Sequence, residues 1–181
     1  MKRDPNGYKL HKNGDKTWKN SAGQYHRTDG PAIERADGTK RWYINGQLHR
    51  LDGPAIEHAD GSKWWFNGQL HRTDGPAIEY ANDHKEWYIH DKLHRTDGPA
   101  IECADGTKQW YFNGQRHRTD GPAIEYADGT KWWYIHDQLH RTDGPAVEEA
   151  DGTKYWYFKG ERISEKEYYS NEFQVKIVME S

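Results

Sequence analysis

The chain has 181 residues and a formal charge of −3, with both signs mixed along it, so it carries no basic stripe of the kind duplex nucleic acid demands. Only 33% of it is apolar and 30% is charged, which is thin for a thick globular core, yet nine Trp and twelve Tyr exclude a disordered chain. Cys103 is the single cysteine, which excludes an intrachain disulfide and a cysteine metal cage.

The first stretch, Met1-Lys2-Arg3-Asp4-Pro5, leads into no apolar run. Neither a signal peptide nor a transmembrane helix is expected, and the cytoplasm is the default location. Leu10-His11 followed by Asn13-Gly14, and then Trp18 before Tyr25-His26, echo what comes next in degenerate form. Residues 1–25 therefore read as an N-terminal cap, since the end units of a repeat array are atypical.

Residues 26–160 are six copies of one unit. The copies of His-Arg-Thr-Asp-Gly-Pro-Ala-Ile-Glu start at His26, His49, His71, His94, His117 and His140, separated by 23, 22, 23, 23 and 23 residues. The copy at His49 carries Leu51 in place of Thr, and the last carries Val147 in place of Ile. A fixed period of this length is the mark of a repeat architecture. In each unit an Asp-Gly pair (Asn82-Asp83 in the third) follows the motif, then a short run such as Thr107 to Phe112, then a second turn such as Asn113-Gly114. Asp-Gly between short alternating runs predicts a two-residue hairpin turn of type I′. Each unit then holds two short strands, one tight turn and one longer connection. Gly and Pro recur too often for helix.

A two-residue turn at Asp105-Gly106 sets Ile101 opposite Trp110. The same pairing joins Ile33 to Trp42, Ile56 to Trp65, Ile78 to Trp87, Ile124 to Trp133 and Val147 to Trp156. A β-branched residue facing an aromatic is a favoured pair. Because side chains alternate between faces, Pro99, Ile101, Trp110 and Phe112 share one face, which reads as the core. Ala100, Glu102, Gln109 and Tyr111 share the other, which reads as more exposed.

Residues 161–181 leave the pattern. Ser164 with Glu167 three residues later is a capping box. It predicts one short capping helix, roughly 165–173, with Gln174 to Met179 as an edge strand or a frayed tail.

The 23-residue unit with Trp-Tyr-x-Asn-Gly, then His, then Asp-Gly, then a short strand and a second Asp-Gly resembles MORN-type repeats, closest to the variant MORN-like repeats of bacterial and phage proteins. The likeness covers roughly residues 8–160. It departs after Asn-Gly, where this chain has Arg-Thr-Asp and the standard repeat has glycines. The resemblance implies an all-β fold, an elongated single antiparallel sheet of stacked two-stranded repeats. It also implies a scaffold, dimerisation or protein-binding role, with lipid-headgroup binding proposed for some relatives.

The candidate binding edge is the row His49, Arg50, His71, Arg72, His94, Arg95, His117, Arg118, His140 and Arg141. A structural reading has Asp97 accepting backbone N–H groups, the His bonding to Asp or to the neighbouring unit, and Arg95 pairing with Glu102. A functional reading has the Arg and His binding an anionic ligand or a partner. Nothing suggests catalysis: no Ser recurs beside a His–Asp pair, and the Cys103 slot also accepts Arg35, His58, Tyr80, Tyr126 and Glu149. No cofactor fingerprint appears, and no tetrahedral metal cage is set. The expectation is a non-enzymatic scaffold that binds a protein partner or itself, without duplex nucleic acid or membrane insertion. The alternative is a module that captures a glycan or a small anionic, phosphorylated ligand between repeats.

Overall fold

Asn-Gly and Asp-Gly each close a hairpin in this chain, but of two different kinds, so each repeat contains four short strands. The computed structural model describes residues 7–180. At the Asn-Gly turn, Tyr43 pairs with Leu48 and Ile44 with Gln47. Asn45 and Gly46 both have positive φ, 49° and 81°, the type I′ combination whose twist matches the strands. His136-Asp137 adopts the same turn at 49° and 63°. There the Asp137 carboxylate accepts the Arg116 backbone N–H at 3.1 Å.

The Asp-Gly turn is longer than the sequence pattern predicts. Ile101 lies opposite Gln109 and Glu102 opposite Lys108. The Cys103 N–H donates to the Thr107 carbonyl at 2.9 Å, and the Gly106 N–H donates to the Cys103 carbonyl at 3.0 Å. Three residues, Ala104-Asp105-Gly106, make the loop, and of these only Gly106 has positive φ, 95°. This is a type I turn completed by a glycine bulge. Its cause is the Asp side chain: Oδ1 of Asp105 accepts the Thr107 N–H at 2.8 Å, an Asx turn that holds Asp on the ordinary side of φ. Asp37, Asp128 and Asp151 make the same bond to Thr39, Thr130 and Thr153. The register of Ile101 with Trp110 is thus off by one residue, and one residue of slip moves every side chain to the other face.

The core is correspondingly different. Ala32, Ala55, Ala77, Ala100, Ala123 and Ala146 have no accessible surface at all, although the sequence pattern puts them on the more exposed face. Ile33, Ile78, Ile124 and Val147 are buried beside them, while Ile56 and Ile101 are half-buried. Of the six Trp expected in the core, only Trp156 is buried; Trp42, Trp65, Trp87, Trp110 and Trp133 are half-buried. Trp110 interrupts its strand run, donating its N–H to the Ala123 carbonyl of the next unit at 2.8 Å. Trp18, Trp42, Trp64 and Trp133 repeat this bond to Ala32, Ala55, Ala77 and Ala146.

The 22-residue unit shows why Trp64 and not Trp65 holds that place. Its Asp-Gly hairpin pairs His58 with Gly61 directly, leaving a two-residue loop, Ala59-Asp60. The missing residue is absorbed in the turn, and Trp64 returns to register while Trp65 pairs with Leu70.

The described residues form two compact units, divided between Lys92 and Leu93. In the first, an antiparallel ladder runs from Lys9–Leu10 through each Ile-Glu strand and its partner to Lys85–Glu86. In the second, the ladder runs from Ile101–Glu102 to Glu161–Ile163. The end of the second unit is helical: Glu165–Tyr168, capped by the Ser164 hydroxyl accepting the Glu167 N–H, is followed by Asn171–Glu180. The tail expected from Gln174 to Met179 as strand or fray is therefore helix. Phe173 and Ile177 pack with Trp156, Phe158 and Tyr168 in one apolar cluster. No helix of the described residues is long and apolar enough to cross a membrane.

Candidate functional site

Each His-Arg-Thr-Asp-Gly-Pro corner is assembled around its arginine. In the fifth unit the Arg118 Nε donates to Asp120 at 2.8 Å. Its Nη1 donates to the Pro122 carbonyl at 3.2 Å and to Glu125 at 2.9 Å. The guanidinium carbon lies 4.0 Å from the centre of the Trp110 ring. Gly121 abuts the same group, so closely that a methyl in place of its hydrogen would sit 2.9 Å from the guanidinium carbon. One planar cation thus joins the loop to its own strand and to the aromatic of the preceding unit.

The corners at Arg27, Arg50, Arg72, Arg95 and Arg141 repeat the bonds to Asp, Pro and Glu. The arginine side chains are 17–22% exposed and their Asp partners 76–86% exposed. The expected pairing of Arg95 with Glu102 is present at 2.9 Å. The principal side-chain partner of Asp97, by contrast, is the Arg95 guanidinium rather than a loop N–H. This hydrogen bond, and the positive charge behind it, hold the Asp97 carboxyl below its usual range; Asp29, Asp52, Asp74 and Asp120 are lowered mainly by the same kind of bond.

The corner histidines bond not to the corner Asp but to the backbone of a hairpin turn. His94 Nδ1 accepts the Asn113 backbone N–H at 3.1 Å, at the turn of the following hairpin. His26, His49, His117 and His140 do the same with Asn45, Asn67, His136 and Lys159. The exception is His71, whose buried Nδ1 has no hydrogen-bond partner among the described residues. An Nδ1 that accepts an N–H carries no proton of its own while that bond is made, which leaves Nε2 as the ring's donor.

Burial pushes His71, His117 and His140 below the ordinary value of 6.5, and a neighbouring cation or imidazole adds to it: His90, His136 and Lys159 respectively. The unfolded chain therefore binds protons at these rings before the folded one does. Their contribution is fully present above about pH 6.5 and is lost as pH falls through the lowered folded values. Urea midpoints should hold steady between about pH 8 and pH 7 and then fall toward pH 5, a range in which the lowered aspartates, ordinary value 3.8, do not titrate. A midpoint that stays level to pH 5 would contradict neutral, accepting histidines.

Between the fifth and sixth corners lies a groove of about 750 Å³, lined by Arg118, Asp120, Trp133, His136, His140 and Lys159 among others. Both its arginines are already committed, Arg118 as above and Arg141 to Asp143, Pro145 and Glu148. What the groove and the corners turn outward is the Thr-Asp pair: Thr119, Asp120, Thr142 and Asp143 are all exposed. The repeat pattern draws attention to His and Arg and misses this. The signal available is Glu, seven residues after each Arg, which marks the Arg as internally paired. Among the described residues, no group of three His, Cys, Asp or Glu side chains is disposed to hold a metal. Compared with known proteins, the chain matches no family model and no curated protein.

Proposed function

We propose that the chain is a non-enzymatic repeat scaffold that binds another protein, or a second copy of itself, through its sheet surface and the edge formed by its corners. The observation that carries this reading is the occupation of the Arg–Trp stacks. Each tryptophan seen against its arginine has a ring face covered at 3.9–4.1 Å, so that face is closed to a sugar. Each arginine uses its Nε and Nη1 donors inside its own corner. This favours a scaffold over a glycan-stacking module. A rigid corner that repeats an exposed carboxylate and hydroxyl suits a partner presenting donors or cations at matching intervals, and pre-organisation lowers the entropy cost of binding it. The MORN-like spacing of the turns agrees with such a role.

The test is the triple variant Asp97→Asn, Asp120→Asn and Asp143→Asn. Asn keeps an acceptor for the Arg Nε but removes the outward charge. The variant should unfold at nearly the wild-type midpoint, yet lose affinity capture of partners from native lysate and any self-association seen by sedimentation. Unchanged capture and unchanged sedimentation would remove the acidic edge from the binding surface.

A further inference from the structure

One position breaks the repeat in a way that packing does not require. The residue two places before the corner Arg is Tyr25, Leu48, Leu70, Leu93, Arg116 and Leu139 in the six units, and Arg162 stands there in the C-terminal cap. This slot faces an aromatic across the Asn-Gly hairpin: Tyr43 for Leu48, Trp65 for Leu70, Tyr111 for Arg116 and Tyr134 for Leu139. A leucine there is the apolar choice, and a charged side chain in its place has to be desolvated.

The Arg116 guanidinium lies 4.1 Å from the centre of the Tyr134 ring. Its Nε donates to Asp137 Oδ1 at 2.7 Å, and the side chain remains 32% exposed. Its two terminal nitrogens make no hydrogen bond to the described residues. Three tyrosines are its neighbours: Tyr111 opposite it on the paired strand, Tyr134 stacked on its guanidinium, and Tyr126 packed on the cluster that holds Tyr134. The Tyr111 hydroxyl donates to Gln109 at 3.3 Å, while those of Tyr126 and Tyr134 have no hydrogen-bond partner among the described residues. Burial raises all three phenols above their ordinary value, and those of Tyr126 and Tyr134 keep their protons free to donate.

We propose that Arg116, with the phenols of Tyr126 and Tyr134, is a binding site for the oxyanion of a small ligand, a phosphate monoester or a carboxylate. The guanidinium presents the planar pair of donors that such groups accept. Tyr134 behind it and Asp137 on its Nε fix its orientation before the ligand arrives. Asp137 accepts both the Nε–H and the backbone N–H of Arg116, which leaves the terminal pair as the side open to an anion. The site is distinct from the corner edge proposed above and uses none of its residues.

Because Leu fills this slot in four units, Arg116→Leu restores the repeat and should fold at least as well as wild type. Isothermal titration of the full chain with phenyl phosphate, benzoate and inorganic phosphate gives the comparison. Wild type should bind phenyl phosphate or benzoate, and Arg116→Leu and Arg116→Gln should each weaken this by at least about tenfold. Binding of both probes assigns the oxyanion in general, and binding of phenyl phosphate and inorganic phosphate alone assigns phosphate. The Asp120→Asn change should leave the titration unaltered, which separates this site from the corner edge. Absence of heat with all three probes in wild type, or equal binding by both Arg116 variants, would overturn the proposal.

Discussion

Arg118→Ala should lower the stability of its unit by about 2–4 kcal/mol, far more than a surface charge deletion. Two exposed ion pairs alone would be worth about 0–1 kcal/mol each, and a sequence view of the edge leads to that smaller figure. The geometry points higher. The side chain is only 21% exposed, and its removal leaves the Pro122 carbonyl and Glu125 without their charged donor, each such bond worth about 1.5–3 kcal/mol. It also uncovers the Trp110 face, where the stacked cation adds about 0.5–2 kcal/mol. These contributions share one group and do not add, so the sum is taken well below its parts. Arg118→Lys should recover only part of the loss, because a lysine cannot reach Asp120, Pro122 and Glu125 at once from above an aromatic face. Asp120→Ala should cost under about 1 kcal/mol, since that carboxylate is 82% exposed. Urea unfolding of the three variants measures the order, and a loss below about 1 kcal/mol for Arg118→Ala would show the corner to be decoration.

That result bears on what a sequence of this kind makes legible. Six copies at a near-constant spacing reveal the architecture directly, because only a stacked structure gives every copy the same neighbours. The antiparallel repeats follow from the turn dipeptides and the capped turn Glu165–Tyr168 from Ser164 with Glu167, and both are present, but the one helix expected over 165–173 is two, and the longer, Asn171–Glu180, carries no such signal. The face assignment does not follow, because it hangs on one integer. Asp-Gly supports either a two-residue or a three-residue loop, and the choice is made by Thr107, whose N–H reaches Asp105 Oδ1. With that residue added to the loop, Ala100 passes to the tightest place in the fold and Trp110 to a half-covered one. The corner is easy to find in the chain, but its chemistry is not. Arg and His catch the eye in a run of residues, yet the Glu seven places on neutralises the Arg, a preceding Trp covers it at Arg27, Arg50, Arg72, Arg118 and Arg141, and the hairpin turn takes the His at every corner but that of His71. The exposed remainder is Thr and Asp, residues whose ordinary role in a loop hides any other. Arg116 becomes legible as a departure from Leu only once its slot is seen to face a tyrosine.

The same integer makes Gly61 the most sensitive glycine in the repeats, and Gly61→Ala should cost about 3–5 kcal/mol where Gly106→Ala costs about 1–2 kcal/mol. Both residues close an Asp-Gly turn and both have positive φ, 151° at Gly61 and 95° at Gly106. At Gly106 a methyl would meet nothing within 4 Å, so the loss is only that of holding an alanine in left-handed backbone. At Gly61 the methyl would come within 2.4 Å of the Glu79 carbonyl oxygen and 2.9 Å of the Tyr80 Cα, both backbone atoms of the next unit. The shortened loop brings Gly61 into the ladder itself, paired with His58 on one side and Tyr80 on the other. No side-chain rotation relieves such a contact. The strands must separate or the turn must change type, and overpacking of about 1–3 kcal/mol is added to a backbone strain of similar size. Thermal unfolding of the two single variants beside wild type decides the matter. Equal losses would mean that the 22-residue unit is not closed by a tighter turn and that its missing residue is absorbed elsewhere, which would also put Trp65 in the place that Trp64 occupies.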